Sequence, residues 1–488
     1  MATETCSRRS FCFPVLALTI MLVWSTGATA DLKSAINLYK SGKLDEAIAE
    51  LKTLAVSDSR DANVREWLGF LLLKKNDYSG ALAALKEALN LKADGPEIRC
   101  NLGTAYFGLG DYKSAASEFE KALKMRPNWA ECLDNLGTTL VRLKNYDKAI
   151  EVYRKAVSAS PRDPQIRNNL GLALQEAGRL NEAISEFRKA VAIAPKNVEI
   201  LTNLGWALKS KGDNRSARDA FVKAIALDPS NYRAHLGLAQ ASAEIGDYDK
   251  AAAAYEVVLR VKPDDVVSQY NLGVAYLNSA QFSKAVEAFS KVLRSTPDDA
   301  EALAHLGWAQ FKCGRTEEAL TTLKLATEKN PNLLTAWVSL ATIQGNSPEA
   351  VSAWEKVLSL SPKNVAARLN LASVLLVLNK NEDALKHYQK AVETDPKSAE
   401  ARFGMGVALS RLGRHGQAIE CYKKAIELNP KMASAYNNLG VELERQNKIE
   451  EAREQYLKAL KADPNNSEAR RNLERCEEIK KAKKPSAG

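Results

Sequence analysis

The stretch Glu97–Ala130, EIRCNLGTAYFGLGDYKSAASEFEKALKMRPNWA, decides the fold, because the thirty-four residues after it repeat it slot by slot. Leu136-Gly137 stands where Leu102-Gly103 stood, Ala149 where Ala115 stood, Tyr153 where Phe119 stood and Pro161 where Pro127 stood. Outward from this pair the same interval holds along the chain. Prolines fall thirty-four residues apart from Pro127 through Pro161, Pro195, Pro229, Pro263 and Pro297 to Pro331. One step of thirty-one leads to Pro362, and the interval returns at Pro396, Pro430 and Pro464. Glycine or alanine recurs at the slot of Gly103 from Gly69 to Gly440, and alanine twelve residues later from Ala81 to Ala452. An aromatic ring recurs at Phe119, Tyr153, Phe187, Phe221, Tyr255, Phe289, Trp354, Tyr388, Tyr422 and Tyr456.

Each block reads as two amphipathic helices. Glu97 to Gly108 is the first, Gly110-Asp111-Tyr112 the turn, and Ser114 to Met125 the second. Two helices in a tight hairpin approach closely only where a side chain is minimal, which gives the recurring small residues their reason. The recurring ring fills the gap towards the next block. Proline ends the second helix and sets the turn into the following one.

This thirty-four-residue pattern of Leu-Gly, Ala, aromatic, Ala and Pro resembles the tetratricopeptide repeat. The resemblance covers residues 62–466, with a degenerate first repeat at 31–61 that keeps Leu44, Ala47 and Ile48. It implies an all-α fold: a right-handed α-solenoid of about thirteen helical hairpins with a concave groove lined mainly by the first helices. The division expected is repeats 2–9 over 62–333, a shortened tenth over 334–364, repeats 11–13 over 365–466, and a capping helix with a basic tail over 467–488. In the tenth repeat, nine positions instead of twelve separate Ala341 from Ala350, with Gly345-Asn346-Ser347-Pro348 in the turn. Ser347 is the expected N-cap and Pro348 the first helical residue, so the first helix must be about one turn shorter. A local change of superhelical pitch is expected there, dividing the array into two stretches.

Composition agrees with a folded chain: 45% of the 488 residues are hydrophobic and 26% charged, too apolar for disorder. Residues 1–30 read as a signal peptide. Arg8 and Arg9 form a basic start, Phe11 to Trp24 carries no charge, and Ala28-Thr29-Ala30 is a small-x-small cleavage site. The mature chain then begins at Asp31 and is exported, to a periplasmic or extracellular location. The alternative is anchoring through an uncleaved signal, although the apolar run is short for a span. Ser7-Arg8-Arg9-Ser10-Phe11 also resembles a twin-arginine signal, with Cys12 and Phe13 departing from it. Cys100, Cys132, Cys313, Cys421 and Cys476 are odd in number and dispersed, which suits small apolar fillers better than a disulfide framework.

Chemistry is not expected. No nucleophile elbow, phosphate-binding loop, HExxH or CxxC occurs, and His235, His305, His387 and His415 occupy different repeat slots. No catalytic residue, metal or cofactor is therefore assigned, and the chain is read as a non-enzyme. The array resembles the repeat region of O-linked N-acetylglucosamine transferase, whose catalytic domain follows its repeats, whereas this sequence stops soon after them. The net charge of +10 raises the question of nucleic acid. Lysine, however, recurs on one slot of the second helix, often with an acid four residues earlier. Examples are Glu151–Lys155, Asp219–Lys223, Glu287–Lys291, Glu420–Lys424 and Glu454–Lys458. That is the spacing of ion pairs on a solvated face, so nucleic acid is not the expected partner. Lys480, Lys481, Lys483 and Lys484 give the tail a weak affinity for an anionic surface.

The expected partner is a protein or peptide. Asn101, Asn135, Asn169, Asn203, Asn271, Asn370 and Asn438 all precede the Leu-Gly or Leu-Ala pair at one slot of the first helix. Such a row of carboxamides can donate to and accept from an extended peptide backbone. It resembles the asparagine ladder of the transferase just named. The same slot also serves hydrogen bonding between helices. The row is interrupted at Gly237, His305, Ser339 and Gly404. Trp206 and Trp308 follow the recurring glycine and are candidate binding anchors or rings lying on a neighbouring helix. Trp337 and Trp354 sit in packing slots. The function expected is an exported, non-catalytic interaction scaffold. Alternatives are a structural component of an envelope assembly or secretion complex, or a substrate-presenting subunit of a glycosyltransferase system.

Overall fold

The computed structural model describes residues 30–91 and 93–482. The expected signal peptide over 1–30 lies almost wholly outside them, as do Lys483 and Lys484 of the basic tail. The described residues form an all-α solenoid of 27 helices. They fall into two compact units, divided between Val261 and Lys262.

In the N-terminal unit, helices pair in chain order into hairpins such as Pro96–Gly108 with Tyr112–Met125 and Ala130–Arg142 with Tyr146–Ala159. Local chemistry sets their ends. Asp163 accepts from the backbone N–H of Gln165 and Ile166 at the start of Pro164–Glu176, and Asp111 accepts from that of Ser114 at the start of Tyr112–Met125. The turn inside each hairpin needs one residue in the left-handed region. Gly110 takes it freely at φ +81°, while Lys144 takes it at φ +58° against the preference of a side-chain-bearing residue.

The core is a line of interlocking rings and glycines. Phe119, Tyr153, Phe187 and Phe221 are all buried. Each lies against the small residue of its own hairpin: a Cβ added at Gly103 would stand 2.7 Å from the Phe119 ring, and one at Gly137 2.7 Å from Tyr153. Phe221 also touches the next hairpin, where a Cβ on Gly237 would meet its ring at 2.2 Å. The ring therefore serves both its own hairpin and the next one, rather than the next one alone. Gly237 interrupts the asparagine row for the same reason, since the ring of the preceding hairpin fills the space of a side chain.

In the C-terminal unit the same device recurs, with Tyr388 against Gly404 and His305 stacked on Phe289 at 5.4 Å. The first helix of the tenth hairpin, Leu334–Gln344, has 11 residues against 13 in Ala300–Lys312, so it is shorter by about half a turn and not by the whole turn expected. Pro348 is the first helical residue of its partner, but Ser347 makes no capping hydrogen bond through its side chain. Buried apolar residues form one cluster from Leu303 to Leu340 and another from Ala341 to Cys476, with half-buried Trp337 against both.

Candidate functional site

The first helices of the N-terminal unit carry positions 97, 100, 101 and 104 on one face, and 131, 134, 135 and 138 one repeat later, by helical spacing. Hydrogen bonds join these faces from one hairpin to the next. Asn169 donates through Nδ2 to Asp134 Oδ1 at 3.0 Å, and its own Oδ1 accepts from Gln165 at 3.3 Å. Asn203, buried at 2% exposure, donates to Asn168 Oδ1 at 2.9 Å. This pairing leaves an acceptor, Asn203 Oδ1, and a donor, Asn168 Nδ2, buried and unbonded. Asn168 was not singled out from sequence. Its signal was there: it stands one residue before the asparagine slot, where Asp134 and Glu66 also stand.

The other asparagines differ. Asn101 and Asn135 in the N-terminal unit, and Asn271 in the C-terminal one, are half-buried, and Asn370 is exposed. Among the described residues their carboxamides make no hydrogen bond. Asn438 accepts from Asn437 at 3.4 Å and bonds the Tyr422 hydroxyl. Asn203→Ala should leave the Asn168 carbonyl buried and unpaired, lowering stability by about 1–3 kcal/mol. A urea melt gives the value, and an unchanged midpoint would mean that the pair contributes nothing.

Trp206 and Trp308 are half-buried rather than freely exposed. Trp206 packs edge-on against Phe221 at 5.6 Å, with Lys209 over its ring and its Nε1 unbonded. Trp308 lies against Phe311 with Lys312 over it at 5.0 Å. Trp354 is core at 5% exposure, and half-buried Trp337 donates to the Pro331 carbonyl at 3.0 Å. Trp129 is buried at the start of its helix beneath the Arg126 guanidinium.

Sequence reasoning also missed a row of acids on the same faces. Glu66 is buried, and desolvation followed by the charge of Glu97 pushes its pKa up to about 8. Burial pushes Asp134 up to about 6, opposed by the Asn169 hydrogen bond, and burial also raises Glu131. These slots carry acids in only some repeats, so periodicity did not expose them.

Of the expected surface pairs, Glu151–Lys155, Glu287–Lys291 and Glu454–Lys458 form. Glu420 instead takes Lys423, Lys424 takes Glu427, and Asp219 takes Arg218. At the C-terminus, Lys480 pairs with Glu450. Cys100, Cys132, Cys421 and Cys476 are buried free thiols, while Cys313 is half-buried. Among the described residues no cluster of His, Cys, Asp and Glu could hold a metal ion, and no helix is long and apolar enough to cross a membrane.

Stacked helical hairpins with a polar face along their first helices define a helical-repeat protein. The chain carries tetratricopeptide repeats: family models of that name match residues 276–343, 364–431 and 403–467. A further model, the cilia and flagella-associated protein 70 C-terminal domain, matches residues 28–257. Among solved structures, the chain is similar to YrrB, described as a TPR protein with an unusual peptide-binding site. That match has 27% identity and a TM-score of 0.35, over 39% of this chain and 100% of the other. It is also similar to MamA residues 41 to the end from Desulfovibrio magneticus RS-1, with 30% identity and a TM-score of 0.33, over 35% of this chain and 96% of the other. A third is the Cut9–Hcn1 hetero-tetramer of the APC/C, with 16% identity and a TM-score of 0.36, over 91% and 95%. No curated protein matches the chain. Tetratricopeptide arrays serve generally as protein-interaction scaffolds.

Proposed function

We propose that this chain is an exported, non-catalytic scaffold that seats an extended peptide or protein segment in a concave groove along the first-helix faces. The observation that carries this reading is the state of the carboxamides in the N-terminal unit. Asn101 and Asn135 are half-buried, and their carboxamides have no hydrogen-bond partner among the described residues. A peptide backbone presents one donor and one acceptor per residue, which matches such a row whatever its side chains. Trp206, half-buried with its ring edge-on to Phe221, adds apolar surface beside that row. In the C-terminal unit, taken by itself, the candidates are Asn271, Trp308, Asn370 and Asn438. Export is supported by Arg8, Arg9, the uncharged stretch from Phe11 to Trp24 and Ala28-Thr29-Ala30.

The better probes are Asn101 and Asn135 rather than Asn169 and Asn203, whose removal would also break bonds between hairpins. A displayed random-peptide library should be panned against the full chain and against Asn101→Ala/Asn135→Ala, with folding matched by circular dichroism. The peptides enriched on the parent should bind the double variant about tenfold or more weakly, the loss of one or two backbone hydrogen bonds. Equal binding by parent and variant would remove the carboxamide row from the function.

A further inference from the structure

The protein is strongly basic overall, with a net charge of +10. Its first-helix faces in the N-terminal unit nevertheless gather Glu66, Glu97, Glu131 and Asp134, on the helices Ala62–Lys74, Pro96–Gly108 and Ala130–Arg142. Their spacing is that of a shared face: Glu97 and Glu131 occupy one repeat slot, and Glu66 and Asp134 another three positions further on.

Glu66 is the decisive member. It is 7% exposed, its carboxylate makes no hydrogen bond or ion pair among the described residues, and the charge acting on it from neighbouring helices is that of Glu97. A carboxyl group left unpaired at such burial costs free energy unless something else partners it. Internal cations answer only part of the row. Arg126 reaches Glu97 at 3.5 Å, and Lys74, its own charge disfavoured by burial, lies near enough to Glu131 to feel it. The acids do not converge closely enough to hold a metal ion. Their spread along three helices suits spaced charged side chains on an extended chain.

We propose that Glu66, Glu97, Glu131 and Asp134 bind spaced lysine or arginine side chains of the peptide seated on these faces. This inference rests on the groove reading above and gives the ligand its charge. Binding has a proton balance. The bound cation favours ionised Glu66, the carboxyl proton passes to the buffer, and an ammonium–carboxylate pair replaces a neutral acid. Affinity therefore rises with pH through the range in which Glu66 ionises.

The test is fluorescence anisotropy on the full chain with a labelled Gly/Ser peptide carrying spaced lysines, beside the same peptide with serine in those places. The lysine peptide should bind about tenfold or more tightly than the serine peptide, and tighten between about pH 6 and pH 9. Glu66→Gln, and separately Glu131→Gln/Asp134→Asn, should reduce it to the serine level; Glu66→Gln should also flatten the pH dependence. Glu301→Gln and Glu400→Gln, exposed acids at the slot of Glu97 in the C-terminal unit, should change nothing. Equal binding of the two peptides would overturn the charge assignment, as would lysine-peptide binding indifferent to the acid variants. In either case the groove reading survives if Asn101→Ala/Asn135→Ala weakens both peptides. If the acid variants act and the asparagine variant does not, the acids stand and the carboxamide row falls.

Discussion

Phe187→Ala lowers the stability of the N-terminal unit by about 3–5 kcal/mol, the range for removing a fully buried ring that the surroundings cannot refill. Phe187 has no exposed surface, and its ring stands 2.7 Å from where a Cβ on Gly171 would be. The glycine was selected by the ring, so nothing on the facing helix can move in to close the cavity. A repeat array depends on interfaces between neighbours, so the loss should concentrate on the hairpin Pro164–Glu176 with Leu180–Ile193 and on those beside it. Native-state hydrogen exchange gives both magnitude and place. Uniform loss over the whole chain, or a change below about 1 kcal/mol, would mean that the ring is not the element joining the hairpins.

Glu66→Gln stabilises the protein at alkaline pH, by about 2–4 kcal/mol near pH 9, and has almost no effect near pH 4. The folded-state pKa is raised, to about 8, chiefly by burial and then by Glu97. The stability associated with the neutral acid is thus fully present below the unfolded-state pKa and is lost as pH rises through the folded value. Glutamine keeps the volume and cannot ionise, so the variant should hold its melting temperature where the parent declines. Parallel pH–stability curves would show that Glu66 ionises without cost, and therefore that it already has a partner.

The repeat was legible because it is written in residues that packing constrains in every hairpin. Gly137 and Tyr153 recur because each excludes any other shape for its partner. Two things were less legible. The asparagine slot was visible as a row, but not that Asn169 and Asn203 would spend a donor on Asp134 and Asn168, since this depends on the register between successive first helices. The acidic row was missed because Glu66 and Asp134 do not recur. A site built from departures within a periodic pattern leaves no periodic trace. Surface ion pairs such as Glu420–Lys424 were misassigned because exposed chains choose among near-equal neighbours at three and four residues.

The most direct measurement is hydrogen–deuterium exchange of the full chain with and without a peptide enriched from the displayed library. The account predicts new protection on the first helices Pro96–Gly108, Ala130–Arg142, Pro164–Glu176 and Val198–Ser210, with their hairpin partners unchanged. Protection confined to second helices such as Tyr146–Ala159 or Leu180–Ile193, or to the capping helix Ser467–Ala482, would contradict it.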